Sequence, residues 1–225
     1  MASGLDIVLA TRFVTAALSN PHNAELIRRL PSLGLPDCWL VAGSLFQAVW
    51  NGTAGRPPDA GVMDYDIFYF DAADLSYDAE DRAIIRAHTA FADLGITFDL
   101  KNEARVHLWY ERRFGQAYPR LRSARDGIDR FLVAGTCIGL APVGDNGNSG
   151  LTRTSEMTAE LYAPFGLADA FNGILRPNPL SNDGQSAFER KAKSYQSRWA
   201  HLTIATAPAA PPERSRTACV TLQHS

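Results

Sequence analysis

The stretch 62–70, VMDYDIFYF, is a run of apolar and aromatic residues entered by two carboxylates, Asp64 and Asp66. Aromatic and β-branched residues favour strands, so the run predicts a buried strand. In a strand, positions i and i+2 share a face, so both carboxylates project to one side. Like charges this close repel unless a cation lies between them, and carboxylate oxygens suit a divalent ion. The alternative is that Asp64 ends a turn while Asp66 caps a backbone or pairs with an arginine.

Helices and strands alternate around this run. The apolar stretch 38–42 predicts a strand before it, and the strictly alternating ITFDLK, 96–101, predicts one after it. Between these strands, residues 44–51 and 77–94 have helical periodicity. This order predicts an α+β fold in which helices back a mixed sheet.

The length of the chain predicts one domain, which we place over 1–202. Small, polar and proline residues dominate from Thr203 onward, so we expect 203–225 to be a disordered tail. The further predicted elements are helices at 5–19, 22–30, 104–114, 167–175 and 187–199, and a C-terminal hairpin of 136–140 with 159–163 around the loop 144–150.

Charge and composition limit the classes of partner. The chain has 22 Lys and Arg against 24 Asp and Glu, so it lacks the basic excess that indicates nucleic-acid binding. The longest uncharged stretch, 131–144, is too short to span a bilayer. Asp6 stands where a secretory signal carries positive charge, and the three cysteines have no close histidine partners. We expect a cytoplasmic protein with reduced thiols and no membrane contact.

Two other segments contain polar groups that are candidates for the same site as the two carboxylates. Asp99, on the strand 96–101, joins the pair if the two strands are neighbours, and otherwise lies on a solvated outer face. Gly43 and Ser44 open a helix after a strand, where free amides and the helix dipole favour a phosphate. The alternative for Ser44 is structural, because Ser44 and Gln47 have the spacing of a capping box.

Arginines supply further candidates. Arg56, in the loop 52–61, is within reach of triphosphate oxygens if the loop faces the site; the alternative is a solvated arginine beside two prolines. Arg105 and His107 are second-tier candidates in a segment that mixes basic and aromatic residues, whose aromatic side chains we expect to face the core. Arg176 ends a predicted helix, where a structural role is expected.

A Gly-Ser that opens a helix, an Asp-x-Asp on the next strand and a third acidic residue on another strand together resemble the nucleotidyltransferase superfamily, which has the DNA polymerase beta type of palm. More closely, MDYDIFYFD, NEARVHLWYERRFG and ELYAPFGLADAFNGILRPNP resemble a bacterial nucleotidyltransferase-like family over about 37–179. The linker from Ser44 to Asp64 is longer than the superfamily's usual one.

The resemblance implies a palm-like fold, with a catalytic core at about 37–115, and a metal-dependent transferase. Such an enzyme moves a nucleoside monophosphate from a nucleoside triphosphate to the hydroxyl of an acceptor, here an unknown small molecule or protein, and releases pyrophosphate. On the superfamily pattern, Asp64, Asp66 and Asp99 are the catalytic residues that bind Mg2+ or Mn2+. Gly43 and Ser44 then contact the phosphates of the nucleotide.

Other classes of protein also fit part of the pattern. Glycosyltransferases use Asp-x-Asp to hold Mn2+ and a nucleotide sugar, although this chain is short for two substrate domains. Haloacid-dehalogenase phosphatases need an apolar strand before the first Asp, and 59–63 is a poor one. The non-enzyme alternative is a nucleotide-binding or protein-interaction module that keeps the palm fold without turnover.

Overall fold

The computed structural model describes residues 4–143 and 156–223. Its helices are α1 (Ile7–Leu18), α2 (Pro21–Arg29), α3 (Gly43–Thr53), α4 (Tyr77–Phe91), α5 (Val106–Phe114), α6 (Ala124–Ile128), α7 (Ala168–Asn172) and α8 (Gln185–Arg198). Its strands are β1 (Trp39–Val41), β2 (Tyr65–Tyr69), β3 (Phe98–Asn102), β4 (Gly139–Pro142), β5 (Glu156–Tyr162), β6 (Ile174–Leu175), β7 (Thr203–Ile204) and β8 (Thr217–Gln223).

The main sheet is mixed and has six strands in the order β3-β2-β1-β4-β5-β8. Its β2–β3 pair is parallel and the other pairs are antiparallel. A second, two-stranded sheet pairs β6 with β7. The predicted α+β fold, a mixed sheet backed by helices, is therefore confirmed, as is the pairing of β4 with β5. The loop predicted at 144–150 lies outside the described residues.

The two faces of the sheet have different roles, as β2 illustrates. Tyr65, Ile67 and Tyr69 point to one face, where they join the largest hydrophobic core beneath α1 to α4. The residues between them, Asp66 and Phe68, point to the other face, where only part of the surface is covered. The period-2 alternation of a strand thus buries the aromatic residues and leaves Asp66 beside an open cleft.

Helix α8 packs on the outer side of α3 and makes one wall of that cleft. A separate cluster of buried aromatic residues joins the two helices, with Trp50 and Trp199 rings 5.4 Å apart. The indole Nε1 of Trp199 donates to Asn51 Oδ1 at 2.8 Å, and both residues are almost fully buried. This contact fixes the C-terminal end of α8 against α3.

The expectation that 203–225 is a disordered tail is wrong for the described residues. Thr217–Gln223 forms β8, which pairs along its length with β5 at the edge of the sheet. Val220 is 3% exposed and packs in the main core, with Ala218 and Leu222 at its margin. These three residues alternate at strand spacing, a pattern that the proline-rich composition of the preceding residues obscured.

The helix predicted at 167–175 is also shorter than expected. Helix α7 ends at Asn172 because Gly173 adopts a left-handed backbone with φ 65°, and Ile174 and Leu175 then form β6. Glycine at this position is typical of a helix C-terminus. In the described parts of the chain, each helix is too short or too polar to cross a bilayer.

Candidate functional site

A cleft of about 720 Å3 opens on the face of the sheet away from α1 and α2. Its walls are the start of α3, the mouth of β2, the end of β3, helices α5 and α6, and helix α8. Small-molecule sites usually have volumes of about 300–1,000 Å3, so the cleft is large enough for a nucleotide-sized ligand.

Asp64 and Asp66 both line this cleft. Asp66 lies directly opposite Asp99 in the parallel β2–β3 pair, so the two side chains share a face. The pKa of Asp66 is raised to about 6, mainly by burial and also by the neighbouring charges of Asp64 and Asp99, while Lys101 opposes the rise. The structure thus brings the three predicted acids to one region and makes ionisation of the central one unfavourable.

Asp99 differs from the pair because its Oδ2 accepts a short hydrogen bond from Lys101 Nζ. Across the described residues, no three or more His, Cys, Asp or Glu side chains form a ready-made metal site. Mg2+ commonly binds through one or two carboxylates, waters and substrate phosphates. Asp64 and Asp66 fit that kind of site, in which a cation would relieve the repulsion around Asp66.

The start of α3 lies beside the acids, and its geometry differs from the sequence prediction. Ala42 holds the N-cap position with φ 59° and ψ −128°, a strained backbone for a non-glycine residue, and no side chain caps the helix. Gly43 lines the cleft. The Gln47 amide folds back over it, so that a Cβ at Gly43 would lie 2.8 Å from Gln47 Nε2.

The prediction that Ser44 is the N-cap is wrong, because Ala42, two residues earlier, holds the N-cap position. Ser44 is fully buried, and its Oγ has no hydrogen-bond partner in the parts of the chain that the structure describes. The residue is not part of the cleft surface. Gly43, rather than the Ser44 hydroxyl, is therefore placed to meet a ligand.

Comparison with protein families shows which family the chain belongs to. The sequence pattern of a nucleotidyltransferase family matches residues 28–204. The chain belongs to this family. The fold of the chain is similar to that of an NMR structure described as "a CCA-adding enzyme head domain", with a TM-score of 0.65. The two sequences are 24% identical, and the match covers 87% of this chain and 95% of the other. The comparison with curated proteins gives no match.

The arginine candidates have structural partners in this member of the nucleotidyltransferase family. Arg56 Nη1 donates to the carbonyl of Arg198 at 3.0 Å, and the side chain is not among those that line the cleft. Arg105 is buried and forms an ion pair with Glu80. Arg176 pairs with Asp169 at 2.9 Å, in line with its expected structural role. The structure therefore does not bring Arg56 to the acids.

Helix α8 contributes cations to the cleft that the sequence motifs did not indicate. Lys191, Ser194 and Arg198 share one face of α8 and line the cleft. Lys191 is close enough to Asp66 to oppose the rise of its pKa. Neither cation has a carboxylate partner within the described ranges. Their spacing of i, i+3 and i+7 was visible in the sequence, but nothing local indicated that this face meets the acids.

The aromatic residues of α5 were expected to face the core, and the structure places several in the cleft wall. Trp109, Tyr110 and Phe114 line the cleft together with Tyr118, and Phe114 is 51% exposed. His107 is not part of this lining. The basic and aromatic segment therefore contributes rings, rather than Arg105 or His107, to the site.

Proposed function

We propose that the chain transfers a nucleoside monophosphate from a nucleoside triphosphate to an acceptor hydroxyl, with Mg2+ or Mn2+ bound by Asp64 and Asp66. The observation that carries the proposal is the convergence of three carboxylates, since Asp64 and Asp66 line the cleft and Asp99 lies opposite Asp66 on the next strand. Burial and this crowding raise the pKa of Asp66. Such crowding is costly unless a cation completes the site, and perturbed carboxyls cluster at functional sites.

The triphosphate would lie between the acids and α8. Lys191 and Arg198 supply positive charge without carboxylate partners among the described residues. Gly43 brings backbone amides at the start of α3, where the helix dipole favours an anion. When bound, a divalent metal neutralises the phosphates and helps pyrophosphate to leave.

In the transfer step, the acceptor oxygen forms a bond to the α-phosphorus. The bond between that phosphorus and its bridging oxygen to the β-phosphorus breaks, and pyrophosphate leaves with the electron pair. The hydroxyl proton passes to the Asp99 carboxylate after the hydrogen bond from Lys101 to that carboxylate breaks. No covalent intermediate with the protein is required, since positioning and charge neutralisation are what this chemistry needs.

A second candidate function is nucleotide binding without turnover. The Asp99–Lys101 ion pair favours it, because that contact occupies the third acid. The family match favours nucleotidyl transfer over the glycosyl transfer that Asp-x-Asp also suggested. The cytoplasmic location stays a prediction from the sequence.

The test is a screen of the four nucleoside triphosphates with Mg2+ or Mn2+ against small-molecule and protein acceptors, with pyrophosphate release as the readout. We expect release that depends on metal and falls at least a hundredfold in Asp66→Asn. Asp81→Asn, an exposed change on α4, is the matched control and should retain the wild-type rate. Binding of a triphosphate without pyrophosphate would favour the second candidate, and an active D66N variant would refute the mechanism.

A further inference from the structure

The end of the cleft lined by Tyr110, Phe114 and Tyr118 contains a buried acid, Glu103, that the transfer step does not use. Glu103 follows β3, is 3% exposed and contributes to the cleft wall. Its carboxyl packs against Gly127 of α6, where a Cβ would overlap it. In the described parts of the chain, this carboxyl accepts no hydrogen bond and forms no ion pair. A buried polar group without a partner is costly, so a ligand that pairs with it is favoured.

Burial gives this carboxyl a particular hydrogen-bonding pattern. The pKa of Glu103 is raised to about 8, mainly by the loss of solvent; Lys101 opposes this rise and the charge of Asp99 adds to it. At neutral pH the group therefore carries its proton in most molecules. A protonated carboxyl presents one donor and one acceptor side by side.

Aromatic rings surround the same part of the cleft. The Tyr110 and Tyr118 rings are 4.4 Å apart, and the Tyr110 and Phe114 rings are 4.6 Å apart. The Arg130 guanidinium lies 5.7 Å from the Tyr118 ring and is held by Asn182 and by the Leu180 carbonyl. Burial raises the pKa of the Tyr118 hydroxyl, and the nearby Glu103 carboxyl adds to this rise. Planar groups stack on partly exposed aromatic rings of this kind.

We propose that this end of the cleft is a nucleobase subsite, in which Tyr118 stacks on the base and Glu103 pairs with its hydrogen-bonding edge. The inference rests on the proposed function, because the same cleft would hold the triphosphate between the acids and α8. The adjacent donor and acceptor of a protonated carboxyl complement the Watson–Crick edge of each of the four bases. Glu103 therefore holds a base in place without choosing between amino and keto bases.

The test compares Mg·ATP with magnesium tripolyphosphate, which lacks the base and sugar, by calorimetry at pH 7. We expect Tyr118→Leu to weaken Mg·ATP binding by about tenfold, since the variant loses the aromatic face on which the base stacks. The variant should leave tripolyphosphate binding unchanged, and Tyr118→Phe should leave both unchanged. Equal weakening of both ligands, or no weakening of Mg·ATP, would overturn the subsite.

Variants at Glu103 test the edge contact. Glu103→Gln keeps a donor and an acceptor, so it should bind the four triphosphates as wild type does. Glu103→Leu should weaken all four by about tenfold while retaining tripolyphosphate binding, which also shows that the variant folds. A wild-type preference for GTP that Glu103→Gln abolishes would indicate an ionised carboxylate and overturn the neutral pairing. A wild-type chain that binds neither ATP nor tripolyphosphate would instead refute the proposed function, and the subsite with it.

Discussion

Asp66 and Asp99 lie side by side on adjacent parallel strands, with Asp66 of β2 opposite Asp99 of β3. Because neighbouring positions in a sheet share a face, this register brings the third acid next to the Asp-x-Asp pair. The Asp99 carboxylate forms an ion pair with Lys101. Asp66 is instead buried beside the charges of Asp64 and Asp99, and its pKa is raised. The two acids therefore have different environments although their strands are neighbours.

Asp66 should make the protein less stable as pH rises. The pKa of its carboxyl is about 6 in the folded chain, against a usual value of 3.8. Between these values the folded state binds more protons than the unfolded state, so the free energy of unfolding falls as pH rises through this window. Asp66→Asn should remove this loss and increase the free energy of unfolding at pH 7 by about 2 kcal/mol. Urea titrations at pH 4.5 and 7 measure the change in the free energy of unfolding between the two pH values. An equal change in D66N and in the control D81N would contradict the prediction.

Ser44 should be dispensable, contrary to the superfamily pattern. Its hydroxyl is buried without a partner among the described residues and lies away from the cleft surface. Ser44→Ala should therefore raise the free energy of unfolding by about 1 kcal/mol and leave Mg·ATP affinity within about twofold of wild type. Calorimetry and urea unfolding measure the two effects. A tenfold loss of affinity would support the phosphate contact that the sequence indicated.

A comparison variant at the same helix start is Gly43→Ala. Its new Cβ would lie 2.8 Å from Gln47 Nε2 and push that side chain within the cleft. We expect weaker Mg·ATP binding in G43A than in S44A, measured in the same titration. Equal affinities would show that the start of α3 does not contact the ligand.

Arg214 should stabilise the fold through the C-terminal segment. Its guanidinium contacts Asp126 at 2.8 Å and Asp129 at 3.0 Å, and Asp129 is 1% exposed. Arg214→Ala leaves the Asp129 carboxylate buried beside Tyr162, which donates to it at 2.6 Å. The free energy of unfolding should fall by about 1–3 kcal/mol at pH 7. Chemical unfolding tests this, with exposed Arg112→Ala as the control; an unaffected R214A would mean that the segment does not hold this part of the core.

Lys191 should bind the triphosphate, whereas Lys193 on the same helix should not. Lys191 lines the cleft near Asp66, and Lys193 is exposed outside it. Lys191→Ala should weaken magnesium tripolyphosphate binding by about tenfold, since a hydrogen bond to a charged group contributes about 1.5–3 kcal/mol. Lys193→Ala should have no effect in the same calorimetric titration. Equal effects in the two variants would indicate general charge screening rather than a site.

Local sequence patterns determined much of the fold. Apolar runs and helical periodicity located β1 to β3 and the helices between them, and alternation placed Asp64 and Asp66 on one face. These features depend on side chains a few residues apart, so a short stretch of sequence suffices. The same reasoning failed at Ser44, because the helix start depends on a strained backbone at Ala42 that no local signal predicts.

Tertiary structure alone decided which distant residues share the cleft. The parallel register of β2 and β3 placed Asp99 beside Asp66, and the packing of α8 on α3 brought Lys191 to the same site. The pairing of β8 with β5 likewise ordered a segment that its composition made look unstructured. Strand register and helix docking depend on burial summed over the whole chain, so no single stretch of sequence contains them.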